Sequence, residues 1–507
     1  MDFKYILSID QGTTGTTSSL MEFTQNQKPK FISSFTQDFL QHYPKNNWVE
    51  HKLDEIWTSV LISISKTLEF ASLKNKNFHK NKICAIGITN QRETLCTFSR
   101  KSYEPLYPAI VWQCKRSLNI CKKLREMGYS KTIYDKTGLF IDPYFTGTKI
   151  KWLMDNNDSI RREVHKGNAL FGTIDTFLTY KITDGKSYVS EPSNASRTML
   201  YNINDLNWDP FLLDLMSVPS EDNLPNIMDS NSFFGITKNF SLLPDGIPIY
   251  SILGDQQSAL YGQSCFKKNQ AKCTYGTGAF LMLNTGNEII RSKHNLLSTI
   301  AWSINKKTNY ALEGSSFIAG SAVQFIRDNL SLIKNASDTE HLESIKAAPD
   351  IIFVPALSGL GSPWWESNCK GAIFGLTRST SKQQIIKATL EGISFLVNDL
   401  ISSFNEEPSV DLHELRTDGG ASQNNLLMQL QANISQLTIR RPENIETTSL
   451  GTALLAAETM GIYNDTDKQP QTDSVLFNPE KTKGKLEYYN EMKKNWKKAV
   501  QAAILFQ

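Results

Sequence analysis

Leu253-Gly254-Asp255-Gln256-Gln257, in the middle of the chain, is the stretch on which the fold turns. The apolar run Ile247 to Leu253 leads into it, so a carboxylate and two amides stand where a buried strand ends. Two turns of the same kind lie far off in sequence, Asp10-Gln11-Gly12-Thr13-Thr14 near the front and Asp418-Gly419-Gly420-Ala421 towards the back. Each alone is an ordinary acidic turn beside an apolar run. Three of them spread over one chain imply a nucleotide held between two domains, with a carboxylate from the central turn reaching an acceptor. Phosphoryl transfer requires those parts: phosphate-cradling donors, a magnesium-holding carboxylate and a base for the acceptor's proton.

The bulk properties agree with a small-molecule partner. A length of 507 residues exceeds what one core organises, so two large domains are expected, divided near 254–262 into 1–257 and 258–507. The net charge of +3, from 54 basic and 51 acidic residues, creates no field that would argue for nucleic acid or a membrane surface. The 7 cysteines contain no Cys-x-x-Cys pair and no histidine at metal-ligand spacing, which predicts reduced thiols and a cytoplasmic protein. The N-terminus enters a strand-like run without an apolar signal segment, and no stretch reaches the ~18 apolar residues that a spanning helix requires.

Phe3 to Ile9, Ser18 to Phe23 and Lys30 to Gln37 read as a three-strand meander, the last two joined around Lys28-Pro29. Ile56, Trp57, Val60, Leu61, Ile64 and Leu68 then recur at helical spacing behind Asp54, and Ile83 to Ile88 returns to strand character. The layout is α/β. A similar order follows in the second half, with Cys273 to Gly278 at a strand turn, a helical run from Ile318 to Leu330 and a strand-like Ile351 to Ala356, which predicts a loose duplication. Lys74 to Lys82 and Asn464 to Lys485 read as surface segments. The final helix gathers Tyr489, Met492, Trp496, Val500 and Ile504 on one face, as a docked helix with a solvated basic side would.

Several turns carry candidate chemistry. Asp10 to Thr17 follows a buried strand, so its backbone N–H and hydroxyl groups can meet phosphate oxygens while Asp10 faces a metal; an ordinary hairpin turn would read the same. Tyr275-Gly276-Thr277-Gly278 repeats that logic, and Asp418 to Asn424 allows close backbone approach to an adenine or ribose. Asn90-Gln91-Arg92-Glu93-Thr94 puts a cation and an anion at a strand's end, where they satisfy each other or a polyol. Trp112-Gln113 and Tyr144-Phe145 can supply aromatic faces and a phenol.

With these residues in place, the chain resembles the FGGY carbohydrate kinases from Lys4 to about Gln501. Tyr144 to Asn156 looks like the family's first signature, and Gly371 to Leu376 through Leu390-Glu391 like the second. The resemblance implies a two-domain actin-like ATPase (ribonuclease H-like) fold with the active site in the interdomain cleft, and phosphorylation of glycerol by ATP. It places glycerol among Arg92, Glu93, Tyr144, Asp255 and Gln256, with Trp112 and Phe280 on its carbon side and Asp255 as the base. The nucleotide would contact Thr13, Thr14, Thr277, Gly320, Gln324, Gly420 and Asn424, with Asp10 and Asp255 near Mg2+. A homodimer or homotetramer is expected.

Two departures stand out. After Thr14 the family usually reads Ser-Ser-Arg, whereas this chain reads Gly15-Thr16-Thr17. A glycine-rich, arginine-bearing loop that binds a sugar bisphosphate in bacterial members has neither feature here, at Asn239 to Ile247. Two other functions fit the same turns: a kinase for a longer polyol or sugar, against which Trp112 and Phe280 argue, and a non-catalytic actin-like nucleotide-binding protein, which has no reason to keep Arg92, Glu93 and Asp255 together.

Overall fold

A computed structural model describes residues 4–24, 27–76, 78–342, 351–463 and 473–506. Phe3 of the first predicted strand, and Asn77 and residues 464–472 of the predicted surface segments, lie outside the described residues. The predicted meander forms strands β1 (Lys4–Gln11), β2 (Gly15–Phe23) and β3 (Lys30–Asp38), paired antiparallel. β4 (Ile83–Asn90) and β5 (Ile249–Gly254) then add in parallel on the free side of β1, giving the order β5-β4-β1-β2-β3. A parallel neighbour requires a crossover. Helix α1 (Leu53–Lys74) lies in the first of these, burying Ile56, Val60 and Ile64 against the sheet while Trp57, Leu61 and Leu68 cover its rim.

The second half repeats this plan. β6 (Ala271–Tyr275), β7 (Ala279–Gly286) and β8 (Lys307–Ser316) form an antiparallel meander, and β9 (Glu414–Asp418) and β10 (Thr438–Pro442) add in parallel beside β6. Further strands, Leu297–Ile304 and Ser474–Phe477, extend this sheet at its two edges. The loose duplication is therefore one of topology. The strand read at Ile351 to Ala356 is shorter, Ile352–Val354, and stands outside this sheet, pairing with Ala372–Phe374. The helical run after Ile318 spans Gly320–Asp328.

The stretch after Gly254 is no linker. Helix α2 (Asp255–Gly262) starts directly at the end of β5, because the extended backbone of Gly254 passes straight into the first helical turn. It crosses helix α3 (Thr447–Thr459) so closely that a Cβ built on Gly262 would stand 2.0 Å from the Thr447 carbonyl oxygen, and one on Gly451 1.8 Å from that of Ser258. Only glycine fits either position. α3 comes from the second half of the sequence, yet it packs on the first sheet. Its Thr452 Oγ1 donates to the Ile88 carbonyl at 3.2 Å, Ser251 Oγ donates to the Thr452 carbonyl at 2.7 Å, and Leu450 and Leu454 share a core with Ile6, Met21 and Leu253.

The last helix, α4 (Lys483–Leu505), docks as its pattern predicts. It buries Tyr489, Met492, Trp496 and Val500, with Trp496 stacked on Phe395 at 5.2 Å between ring centres. The cysteines are all unbridged. Among the described residues no helix is long and apolar enough to cross a membrane.

Candidate active site

Four charged side chains, all almost completely buried, meet where β4 ends. Arg92 grips Glu313 with both guanidinium ends, Nη1 to Oε2 at 2.6 Å and Nη2 to Oε1 at 2.8 Å. Arg197 donates from Nε to Glu93 Oε1 at 2.6 Å and from Nη2 to Glu313 Oε1 at 3.1 Å. Arg92 and Glu93, read from the sequence as satisfying each other or a polyol, stand 3.8 Å apart as an ion pair, but each makes its shorter contacts with a partner elsewhere. Burial pushes the Glu313 carboxyl up, but the Arg197 and Arg92 guanidiniums overcome this and hold it at about 2. Glu93 is raised, because burial outweighs the lowering by Arg92 and Arg197 and the neighbouring Glu313 adds repulsion. Glu313 belongs to β8, so the cluster joins the two sheets.

Glu93 is held in a left-handed backbone conformation (φ 60°), which costs of order 1–3 kcal/mol for a residue with a side chain. Its carbonyl is fixed there by Thr146 Oγ1 at 3.0 Å and Lys149 Nζ at 3.2 Å, both on the helix Thr146–Asn156, and Lys149 Nζ also donates to the Tyr144 carbonyl. The signature segment thus serves to shape the turn at Glu93. Tyr144, Trp112 and Phe280 form one aromatic wall, Trp112 lying 5.6 Å from Tyr144 and 6.2 Å from Phe280 between ring centres. The guanidinium of Arg197 stands over the Tyr144 ring at 5.6 Å.

Asp255 reaches this cluster from the end of β5. Its Oδ1 stands 3.2 Å from Arg92 Nε and accepts from the Gln256 N–H at 2.7 Å; Oδ2 takes no protein hydrogen bond among the described residues. The approach is fixed from behind by a short buried helix, Pro192–Ala195. Glu191 caps that helix and accepts from Ser193 Oγ, whose oxygen in turn accepts from the Gly254 N–H at 2.9 Å. Asn194 exchanges amide hydrogen bonds with Asn90 at 3.0 and 3.1 Å, so the ends of β4 and β5 hang on the same support.

The turns read as phosphate and nucleotide contacts divide between the sheets. Thr13 and Thr14 lie in the β1–β2 turn, and Thr13 Oγ1 accepts from Trp112 Nε1 at 2.9 Å, tying that turn to the aromatic wall. Thr277 and Gly320 are neighbours, since the Ala319 N–H donates to the Thr277 carbonyl at 2.8 Å and that of Gly320 to the Gly276 carbonyl at 2.9 Å. Gly419 (φ 83°) passes so close to Tyr275 that a Cβ would lie 2.6 Å from its carbonyl oxygen, which brings Gly420 beside the same turn. Gln324 is exposed on the helix Gly320–Asp328. Asn424 is largely occupied as a helix cap, accepting from the Leu427 N–H at 2.9 Å and donating to Thr339 Oγ1 at 2.7 Å. Asp10 lies at the end of β1, where burial and then the nearby Asp255 and Glu446 push its carboxyl well above the usual range.

Arg197, Glu313, Lys149 and Ser193 were not singled out from the sequence. A lone glutamate in the apolar strand Tyr310 to Gly314 was the available signal for Glu313, because a buried strand does not carry a charge without a partner.

Residues 5–262 match the N-terminal domain of the FGGY family of carbohydrate kinases, and residues 271–460 match its C-terminal domain. A glycerol kinase of Oceanobacillus iheyensis is 44% identical across 100% of this chain and 99% of its own. The crystal structure of Plasmodium falciparum glycerol kinase with ADP superposes with a TM-score of 0.88 at 34% identity, covering 99% of this chain and 98% of that one. A ligand-bound xylulose kinase from Lactobacillus acidophilus shares the fold, with a TM-score of 0.85 at 22% identity over 98% of each chain. Full-length likeness of this order, on a duplicated two-sheet frame with acidic turns at its strand ends, has one reading: the chain belongs to the FGGY family of carbohydrate kinases.

Proposed function

We propose that the chain transfers the γ-phosphoryl group of ATP to glycerol, giving sn-glycerol 3-phosphate. The observation that carries this reading is the junction of Asp255 with Arg92 and Glu93 beside the aromatic wall of Trp112, Tyr144 and Phe280. Carboxylates, an amide and a guanidinium can serve the three hydroxyls of glycerol as donors and acceptors, while the rings cover its carbon side. Asp255 Oδ2 is the oxygen free to take the proton of the attacking hydroxyl. In this reading residues 1–257 hold glycerol and the phosphates, and residues 258–507 hold most of the nucleotide, with Thr13, Thr14, Thr277, Gly320, Gln324, Gly420 and Asn424 lining its path. The named relatives support the substrate assignment. A coupled assay of ADP release over glycerol, longer polyols, pentuloses and no acceptor tests it. Glycerol should give the highest kcat/KM, and release that is indifferent to the acceptor would overturn the proposal.

Magnesium fits the acidic end of the site. The Asp10 carboxyl is raised by burial and then by the nearby Asp255 and Glu446, and a hard cation beside its carboxylate would relieve that cost. Magnesium is commonly held by one or two carboxylates together with phosphate. Asp10 and Asp255 would hold it. Bound there, magnesium neutralises charge on the phosphates. Asp10→Asn should raise the magnesium concentration for half-maximal turnover by about tenfold or more, the cost of a lost charge-assisted contact. A magnesium titration of the variant that overlays the unaltered protein would remove Asp10 from this role.

The loop at Asn239 to Ile247 yields a regulatory prediction. Lys238, its nearest cation, is already paired with Asp245, Nζ to Oδ2 at 2.8 Å, and Asp245 also accepts from the Asn239 N–H at 2.9 Å. No arginine is present in the loop, and Pro244 has no N–H to offer. A dianionic sugar phosphate therefore meets a neutralised loop. Millimolar fructose 1,6-bisphosphate should leave both activity and the light-scattering mass unchanged; saturable inhibition lost on mutating this loop would contradict this.

A further inference from the structure

Lys272 on β6 is completely buried, and its ammonium donates to Gln256 Oε1 and, at 2.8 Å, to Thr274 Oγ1. An ammonium has donors and no acceptor, so it dictates which end of an amide can face it. The oxygen of Gln256 is committed to Lys272. The Nε2 end is left over, with no hydrogen bond to a protein acceptor among the described residues. Gln256 follows Asp255 directly at the start of α2, and its backbone N–H is spent on Asp255 Oδ1. The donor that the Gln256 side chain still has to offer is therefore its Nε2 amide, turned away from Lys272.

We infer that Lys272 is a positioning residue that commits Gln256 to donating a hydrogen bond to the acceptor substrate. This deepens the glycerol reading above and rests on it. A hydroxyl that accepts from Gln256 keeps its own hydrogen for a carboxylate, so the pair Lys272 and Gln256 distinguishes an acceptor oxygen at this point of the pocket from a group that can only donate. Without Lys272 the amide would be free to turn, and that discrimination would be lost.

Gln256→Glu separates this role from a structural one. The carboxylate preserves the shape and pairs with Lys272 at least as well as the amide does, but it has no hydrogen to give. The KM for glycerol should rise about tenfold, as expected for a lost hydrogen bond with an unsatisfied partner, while the KM for ATP stays within about twofold. Lys272→Met should also raise the glycerol KM selectively, by a smaller factor, because the amide then presents the right end only part of the time. A Gln256→Glu glycerol KM within twofold of the unaltered value, or equal rises for glycerol and ATP, overturns the inference. Release of no ADP by the unaltered chain with glycerol would instead fail the functional reading itself.

Discussion

Asp255→Asn should lower kcat by at least ~10²-fold, the low end for removal of a general base, while glycerol still binds. The geometry lets this substitution keep the shape of the site, though it removes a proposed magnesium oxygen together with the base, so turnover is read at saturating magnesium. Asp255 uses Oδ1 for structure, facing Arg92 Nε at 3.2 Å and the Gln256 N–H at 2.7 Å, and an asparagine can keep its carbonyl oxygen in that place. What changes is the second position, where an acceptor becomes an NH2 group that cannot take a proton. Calorimetric titration with glycerol, alongside steady-state ADP release, reads the two effects separately. A variant that retains kcat within tenfold would show that another group accepts the hydroxyl proton.

Glu313→Ala should cost about 3–5 kcal/mol of stability, the usual price of leaving a buried charge without its counter-ion. Glu313 is fully buried and accepts from both Arg92 and Arg197, so its removal leaves both Nη groups of Arg92 without their carboxylate and leaves Arg197 with Glu93 alone. The sign of the pH dependence follows from its depressed carboxyl. Folded at about 2 against an ordinary value of 4.5, Glu313 contributes stability that is fully present above 4.5 and is lost as pH falls through about 2. The gap in urea midpoint between the unaltered protein and the variant should therefore be wide at neutral pH and narrow below 4.5. Equal midpoints at pH 7 would mean that Arg92 and Arg197 are held by other groups.

The frame and the acidic turns were legible because both are local. Apolar runs at strand and helix spacing announced the first meander and α1, and a glycine or hydroxyl-rich turn at a strand's end is visible within a few residues. The pairing of charges was not. Arg92 meets Glu313 across a separation of 221 residues and Arg197 meets Glu93 across 104, so no window of sequence holds both partners. Reading Arg92 with its neighbour Glu93 was the local solution, and the fold prefers a distant one because β8 brings a bidentate carboxylate to both guanidinium ends. Nor was the capping role of Asn424 legible, since its partner Thr339 lies 85 residues away.

The crossing of α2 and α3 bears on how this chain could be divided. Leu450, Thr452 and Leu454, which arrive nearly 200 residues after β5 ends by the count from Gly254 to Thr452, complete the cover of the first sheet. A fragment ending at 257 would present that face bare, with Ile6, Met21 and Leu253 open to solvent. The two halves resemble each other in plan but are not interchangeable modules: the first lacks a piece of its cover that the second carries. Produced as separate polypeptides, they should be recovered only when made together, and a recombination event that exchanged one half for a relative's would have to carry a compatible glycine crossing with it.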